Sequence, residues 1–312
     1  MKILVVGAGA TGGYFGGRLL QAGRDVTFLV RPRRAALLAE HGFTIRSQFG
    51  DFHRAAPPLV TAETLKETFD LVILSCKAYD LDSAIASFAP AVGPRTAILP
   101  LLNGMRHLEI LAERFGPERV LGGLCIISST LGEDGTVLHL NNLHQLTFGE
   151  LDGARSERIE AIAAALLNAG FEARLSDAIR QEMWEKWLFI AAAAGVTCLM
   201  RAAVGDIVAA GATDLATGLI DECAAIATSQ GFAPRPATLA MARGALTTPG
   251  STLTASMLRD IENEMPVEAD HLIGDLLRRA SVADDRALLR IAYAHLKAYE
   301  ARRAREAATK VA

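Results

Sequence analysis

The sequence predicts an α/β half built on a parallel sheet, followed by an all-helical half. Three observations carry this. Short, continuously apolar segments alternate with helical ones through the first half. The glycine-punctuated stretch VVGAGATGG follows the first apolar segment at once. Beyond about residue 155 the composition turns to alanine, leucine and arginine, with few strand formers. Strand–helix–strand alternation at this pace calls for parallel strands covered by helices on both faces.

Taken in order, KILVVGA reads as a buried strand and TGGYFGGRLLQAG as a helix closed by Gly23. DVTFLV is a second strand, RRAALLAEHG a helix closed by Gly42, and LVILSC, residues 71–76, a third strand. DLDSAIASFAPAV is helical to about Pro90, and TAILPLLN, residues 96–103, is a fourth strand. VLGGLCIISSTL adds another, and TVLHL and HQLTFGE read as a pair joined by a hairpin turn at Asn141 and Asn142. ERIEAIAAALLNAG is a helix ending at Gly170. Then come QEMWEKWLFIAAAAGVTCLM as one long helix, ATGLIDECAAIATSQG, STLTASMLRDIENEM, VEADHLIGDLLRRA and RALLRIAYAHLKAYEARRAREA. The last dozen residues read as a fraying helix end. The expected division is 1–172 for the α/β domain and 173–312 for the helical one.

Composition narrows the function. Hydrophobic residues make up 51%, charged residues 21%, and the formal net charge is −3. No block of like charges suggests a nucleic-acid partner. No uninterrupted apolar run reaches the roughly 18 to 20 residues of a membrane span, and the N-terminus reads as a buried strand, not a signal peptide. Cys76, Cys125, Cys198 and Cys223 are widely spaced with no CxxC pair. The expectation is therefore no metal, no disulfide framework and a reducing, cytoplasmic setting.

Gly7, Gly9 and Gly12 spell G-x-G-x-x-G between a strand and a helix. The first glycine permits the tight turn, the second lets backbone approach a diphosphate, and the third lets helix and strand pack closely. Ala10 and Thr11 lie in the same turn, where backbone N–H groups at a helix start receive the diphosphate. A plain glycine-rich turn is the competing reading; the strand before it and the second strand at the proper spacing favour a Rossmann-like dinucleotide site. At the end of that second strand an NAD site carries an acid, whereas this chain has Arg31, Pro32, Arg33 and Arg34. A guanidinium there pairs with a 2′-phosphate, so the expected cofactor is NADP(H), with Arg31 the first candidate and Arg33 or Arg34 a helper. Lys77 and Asn103 end the third and fourth strands, where cofactor or substrate would lie; a surface lysine and an ordinary Asn-Gly turn are the alternatives.

Hydride delivery to a ketone also needs a proton donor. Lys186, amid WEKWLFIAAAAG, sits among aromatic and apolar residues that would favour its neutral form, although a lone helical lysine is more often a snorkelling surface residue. Ser256, Asp260, Glu264, Glu268 and Asp270 follow in SMLRDIENEMPVEADHLIG, and periodicity does not choose among the carboxylates.

Together GAGATGGYFGGRL, CKAYD, LNGM, WEKWLF and ASMLRDIENEMPVEADHLIG followed by LLRRA resemble the ketopantoate reductase family over nearly the whole chain. The resemblance implies NADPH-dependent reduction of ketopantoate to pantoate, on the route to pantothenate and coenzyme A. It implies a Rossmann-like domain, a helical domain of the 6-phosphogluconate-dehydrogenase type, and substrate in a cleft between them. It implies Lys186 as proton donor, Glu268 as the acid organising cofactor, lysine and substrate, Ser256 on the substrate carboxylate, and Asn103 and Lys77 as cleft residues. Two departures stand out. Family members carry asparagines one and two turns after the lysine, where this chain has Ile190 and Ala194. After LLRRA the chain continues SVADDRALLRIA in place of a glycine- and proline-containing stretch. A bulkier or more apolar ketone or 2-oxo acid is therefore an alternative substrate. A non-catalytic NADP(H) sensor is the alternative from another class, and a homodimer is open.

Overall fold

The computed structural model describes residues 1–280 and 287–311. The chain divides into two compact units, Met1–Arg180 and Gln181–Ala312.

The first unit runs β1 (Lys2–Val6), α1 (Ala10–Gln21), β2 (Asp25–Leu29), α2 (Pro32–His41), β3 (Phe43–Arg46), β4 (Phe52–Arg54), β5 (Leu59–Val60) and β6 (Phe69–Leu74). It continues through α3 (Leu81–Phe88), β7 (Val92–Pro100), α4 (Arg106–Phe115), β8 (Gly122–Leu131), β9 (Val137–Gly149), α5 (Glu157–Leu166) and β10 (Glu172–Leu175). One sheet has the order β5-β2-β1-β6-β7, with every neighbouring pair parallel. Its central strands are apolar throughout because both faces are covered, and Ile3, Val5, Phe28, Leu71 and Ile73 join the core. The second sheet has the order β10-β9-β3-β4, with β8 antiparallel to β9.

The expected hairpin at Asn141–Asn142 is absent. β9 passes straight through both residues as one strand of 13 residues, and the hairpin is β8 with β9. The register between them shifts at Ile127–Ser129, and there the Asn141 side chain accepts from Ser128 N at 3.0 Å. The asparagine satisfies a backbone donor at an irregular pairing, a task that draws the same residue type as a turn. β10 pairs parallel with β9, which carries the first unit past the expected boundary at 172. The helix expected to reach Gly170 stops at Leu166, and Asn168 (φ 56°) and Gly170 (φ 77°) turn the chain into β10.

The second unit is helical: α6 (Ile179–Met200), α7 (Val204–Ala209), α8 (Thr213–Ser229), α9 (Pro236–Leu246), α10 (Ser256–Glu262), α11 (Asp275–Arg279) and α12 (Ala287–Val311). A π-helical turn, Asp270–Gly274, precedes α11. By length and composition α6 would suffice to cross a membrane, but Glu185 and Lys186 interrupt its apolar run and most of it is buried as a core helix. Trp187, Leu188 and Val196 on α6 meet solvent hardly at all, nor do Ile220 on α8 and Leu289 and Leu296 on α12. The helix expected over STLTASMLRDIENEM is shorter, starting at Ser256 and ending at Glu262. Residues 281–286, where the chain departs from the family pattern after LLRRA, lie outside the described residues.

Candidate functional site

In the first sheet the chain builds outward from β1 to β2 and β5, then crosses back to place β6 and β7 on β1's other side. All five strands are parallel, so their carboxyl ends share one edge, and the reversal of order beside β1 opens the crevice where such sheets bind ligands. Gly7 to Gly9 follow β1, Arg31 follows β2, Lys77 follows β6 and Asn103 follows β7. The structure therefore gathers at one edge every cofactor candidate named from this half.

The glycine turn has the shape its sequence requires. Gly7 has φ +95° and donates its N–H to Leu29 O at 2.9 Å. A Cβ on Gly12 would lie 2.4 Å from Gly7 O and 2.0 Å from Ser75 Oγ, so only glycine fits there. A Cβ on Gly9 would meet nothing within 4 Å, leaving that side of the turn open to a ligand. Gly9 caps α1 without a side-chain bond, and the first turn holds no acid. The N–H groups around the half-buried Ala10 and Thr11 thus present a positive helix end suited to a diphosphate. Ser75, which lies in LVILSC but has no role from the sequence, donates its hydroxyl to Val6 O at 3.1 Å and braces the turn from β6's end.

The arginines separate by role. Arg34 Nε donates to Ala8 O at 3.1 Å and its Nη2 to Gly135 O at 2.8 Å, so it holds the glycine turn against the β8–β9 connection. Burial pushes the Arg34 guanidinium below its usual pKa. Arg33 is exposed. Arg31 caps α2 with an exposed side chain that donates to Asp80 Oδ1 at 2.7 Å. Lys77 is half-buried and starts the 3₁₀ turn Ala78–Asp80. Asn103 is half-buried, and Gly104 after it has φ +75°.

In the second unit α6 presents Lys186, Ile190 and Ala194 along one face, each about one turn apart. Lys186 is half-buried between Glu185 and Trp187. Ile190 is half-buried and Ala194 is 1% exposed. Glu268 is half-buried, and its carbonyl accepts from Leu272 N at 2.9 Å as the chain enters the π-helical turn. Trp187 Nε1 donates to Leu272 O at 2.8 Å, linking the residue beside Lys186 to the turn after Glu268. Ser256 is exposed at the first position of α10. Thr197 Oγ1 accepts from Ala255 N at 3.3 Å and donates to Ala193 O at 2.7 Å, fastening the start of α10 to α6.

In the second unit two supports escape sequence reading. Glu185 is 6% exposed and accepts from Arg235 N and Nε, both at 2.8 Å, and from Gln181 Nε2 at 3.2 Å. Burial pushes its carboxyl up, and the Arg235 side-chain and backbone hydrogen bonds more than offset this, leaving it below the usual carboxylate range. Thr197 is the other. Nothing local marks either role, because Arg235 and Ala255 lie far along the chain from Glu185 and Thr197. Among the described residues the four cysteines form no disulfide, and burial pushes the Cys198 thiol up to about 12. Among the described residues no cluster of three or more His, Cys, Asp or Glu is arranged to hold a metal.

The family model for ketopantoate reductase PanE/ApbA matches residues 3–153, and that for its C-terminal domain matches residues 178–300. An uncharacterized oxidoreductase of Bacillus subtilis, YkpB, is 41% identical over 96% of this chain and 99% of its own length. The crystal structure of 2-dehydropantoate 2-reductase from Geobacter metallireducens superposes with a TM-score of 0.86 at 29% identity, covering 95% of this chain and 99% of that one. D-mandelate dehydrogenase, solved with NADH and anilino(oxo)acetate, has a TM-score of 0.86 over 97% of this chain and 99% of that one; at 22% identity the likeness is one of fold.

Proposed function

The chain belongs to the ketopantoate reductase family, and from that premise we propose that it uses NADPH to reduce ketopantoate to pantoate. It is an oxidoreductase of the type that acts on CH–OH groups and 2-oxo acids. The observation that carries the cofactor reading is the turn itself: open at Gly9, closed by sterics at Gly12, and set against an uncapped helix start with Arg31 just after the next strand. These residues fit a dinucleotide diphosphate and a 2′-phosphate.

NADPH, when bound, supplies the hydride that reduces the carbonyl carbon. The chain's part is to hold the reactants and manage one proton. The backbone N–H groups at Gly9 to Gly12 bind the diphosphate, and Arg31 pairs with the 2′-phosphate. Lys77 and Asn103 hydrogen-bond cofactor or substrate at the β6 and β7 ends. Lys186 Nζ gives its proton to the carbonyl oxygen as that oxygen becomes a hydroxyl, and solvent restores the proton afterwards. Glu268 orients the lysine and substrate, and the Ser256 hydroxyl donates to the substrate carboxylate. A cytoplasmic setting and a homodimer belong to the same reading.

Ile190 and Ala194 favour a second substrate of the same chemistry. A face that offers no hydrogen-bond partner to a hydroxyl discriminates poorly for one, and suits a 2-oxo acid with an apolar side chain. The test is the rate of NADPH oxidation with ketopantoate beside 2-oxo acids bearing branched aliphatic and aromatic side chains. The highest kcat/KM with ketopantoate is expected. A clear preference for an apolar 2-oxo acid transfers the assignment to the second reading, and no turnover with any of them rejects both.

A further inference from the structure

Asp80 stands at the N-cap of α3, yet its side chain makes no capping bond there. Aspartate at this position ordinarily accepts from the N–H groups of the first helical turn. Here the carboxylate is turned to Arg31, whose Nη2 donates to Asp80 Oδ1 at 2.7 Å. Ser83 completes the arrangement: its Oγ lies 3.4 Å from the same Arg31 nitrogen and donates to Asp80 O at 2.9 Å. The Asp80 hydrogen bond raises the Arg31 pKa, as expected for a guanidinium held by a carboxylate.

Dinucleotide sites choose between cofactors at the end of the second strand, with an acid for the 2′-hydroxyl of NAD(H) or an arginine for the 2′-phosphate of NADP(H). This chain brings both to one place. The arginine comes from the end of β2, and the acid arrives from the turn after β6. We propose that Asp80 is a specificity-determining residue that limits the preference for NADP(H) and lets the same site accept NAD(H). Its carboxylate competes with a 2′-phosphate for Arg31 and repels it, and it offers an acceptor to a 2′-hydroxyl. The proposal rests on the reading of the glycine turn as a nicotinamide-dinucleotide site.

Calorimetric titration of the full-length chain with NADPH and with NADH, at low salt and without substrate, separates the proposal from that reading. The unaltered chain binds both, with NADPH favoured by no more than about tenfold. Asp80→Asn keeps the shape of the side chain and removes its charge. It tightens NADPH binding by about three- to fivefold, the scale of an exposed charge contact, while NADH binding stays level or weakens. The gain shrinks as salt rises, because Arg31 is exposed and Asp80 is only half-buried. Arg31→Gln reverses the order and favours NADH. An unchanged ratio of NADPH to NADH affinity in Asp80→Asn overturns the proposal and leaves the dinucleotide site standing. Failure of the unaltered chain to bind either cofactor overturns that site, and the proposal with it.

Discussion

Arg235→Ala tests whether the helix that carries Lys186 is held by its buried neighbour. Glu185 is 6% exposed and takes two hydrogen bonds at one oxygen from Arg235, one from the backbone N–H and one from Nε. Its other oxygen receives Arg235 Nε at 3.0 Å and also Nη2. The substitution leaves the backbone N–H and the Gln181 bond but strips the guanidinium from a carboxylate that is nearly closed off from water. Breaking a fully buried pair costs about 3–5 kcal/mol. Arg235 is 54% exposed, so solvent replaces part of the lost interaction, and about 2 kcal/mol is the expected loss. For a unit of this size that lowers the melting midpoint by about 5–10 °C. Differential scanning calorimetry at neutral pH reads this directly. Glu185→Gln, which keeps the shape and loses the charge, should fall by a smaller amount. A midpoint within about 1 °C of the unaltered chain would show that Glu185 is adequately solvated without its arginine, and the support assigned to α6 would fall.

The remaining predictions follow from the same contacts. Gly12→Ala forces a methyl group against Gly7 O and Ser75 Oγ, so nucleotide titration should show dinucleotide affinity reduced by at least about tenfold. Arg34→Ala should destabilise the first unit by about 1–3 kcal/mol in denaturant unfolding, since it removes the bonds to Ala8 O and Gly135 O, and should leave the NADPH-to-NADH ratio nearly unchanged. Arg158 and Ser156 hold the Glu150 carboxyl below the usual carboxylate range against a smaller opposing effect of burial. Its folded pKa lies below its unfolded one, as does that of Glu185, so their stabilisation is complete above the ordinary glutamate pKa. Unfolding midpoints should begin to fall below about pH 6.5, where burial holds His144 and His295 below the usual imidazole pKa, and fall further below about pH 4.5; Arg158→Ala should flatten part of that second fall.

How much was legible in the sequence depends on how local each signal is. The glycine turn, the strands β1, β2 and β6 and the long helix α6 all show in consecutive residues. Buried parallel strands are continuous apolar runs, and the turn demands glycine at set offsets. The short strands β3, β4 and β10 carry no such pattern: β3 and β10 are held by the distant β9, and the three-residue β4 is held at the sheet edge by β3. Asn141 misled because asparagine serves an irregular strand pairing as readily as a turn. At the site, Arg31 was legible as a residue type after a strand, whereas its bond to Asp80, 49 residues away, was not. Glu185, Thr197 and Ser75 were hidden for the same reason: each gains its role from a partner that folding alone brings near.

Lys186→Ala offers the most direct test of the reductase reading. Purified protein is mixed with NADPH and ketopantoate, and both cofactor oxidation and pantoate formation are followed, with cofactor affinity titrated separately. The unaltered chain should form one pantoate for each NADPH consumed. Lys186→Ala should bind NADPH with the same affinity and lose turnover by at least about a hundredfold, the contribution expected of a positioned proton donor. Turnover that survives in Lys186→Ala, or cofactor consumption without matching pantoate, would contradict the roles assigned to the lysine and the substrate.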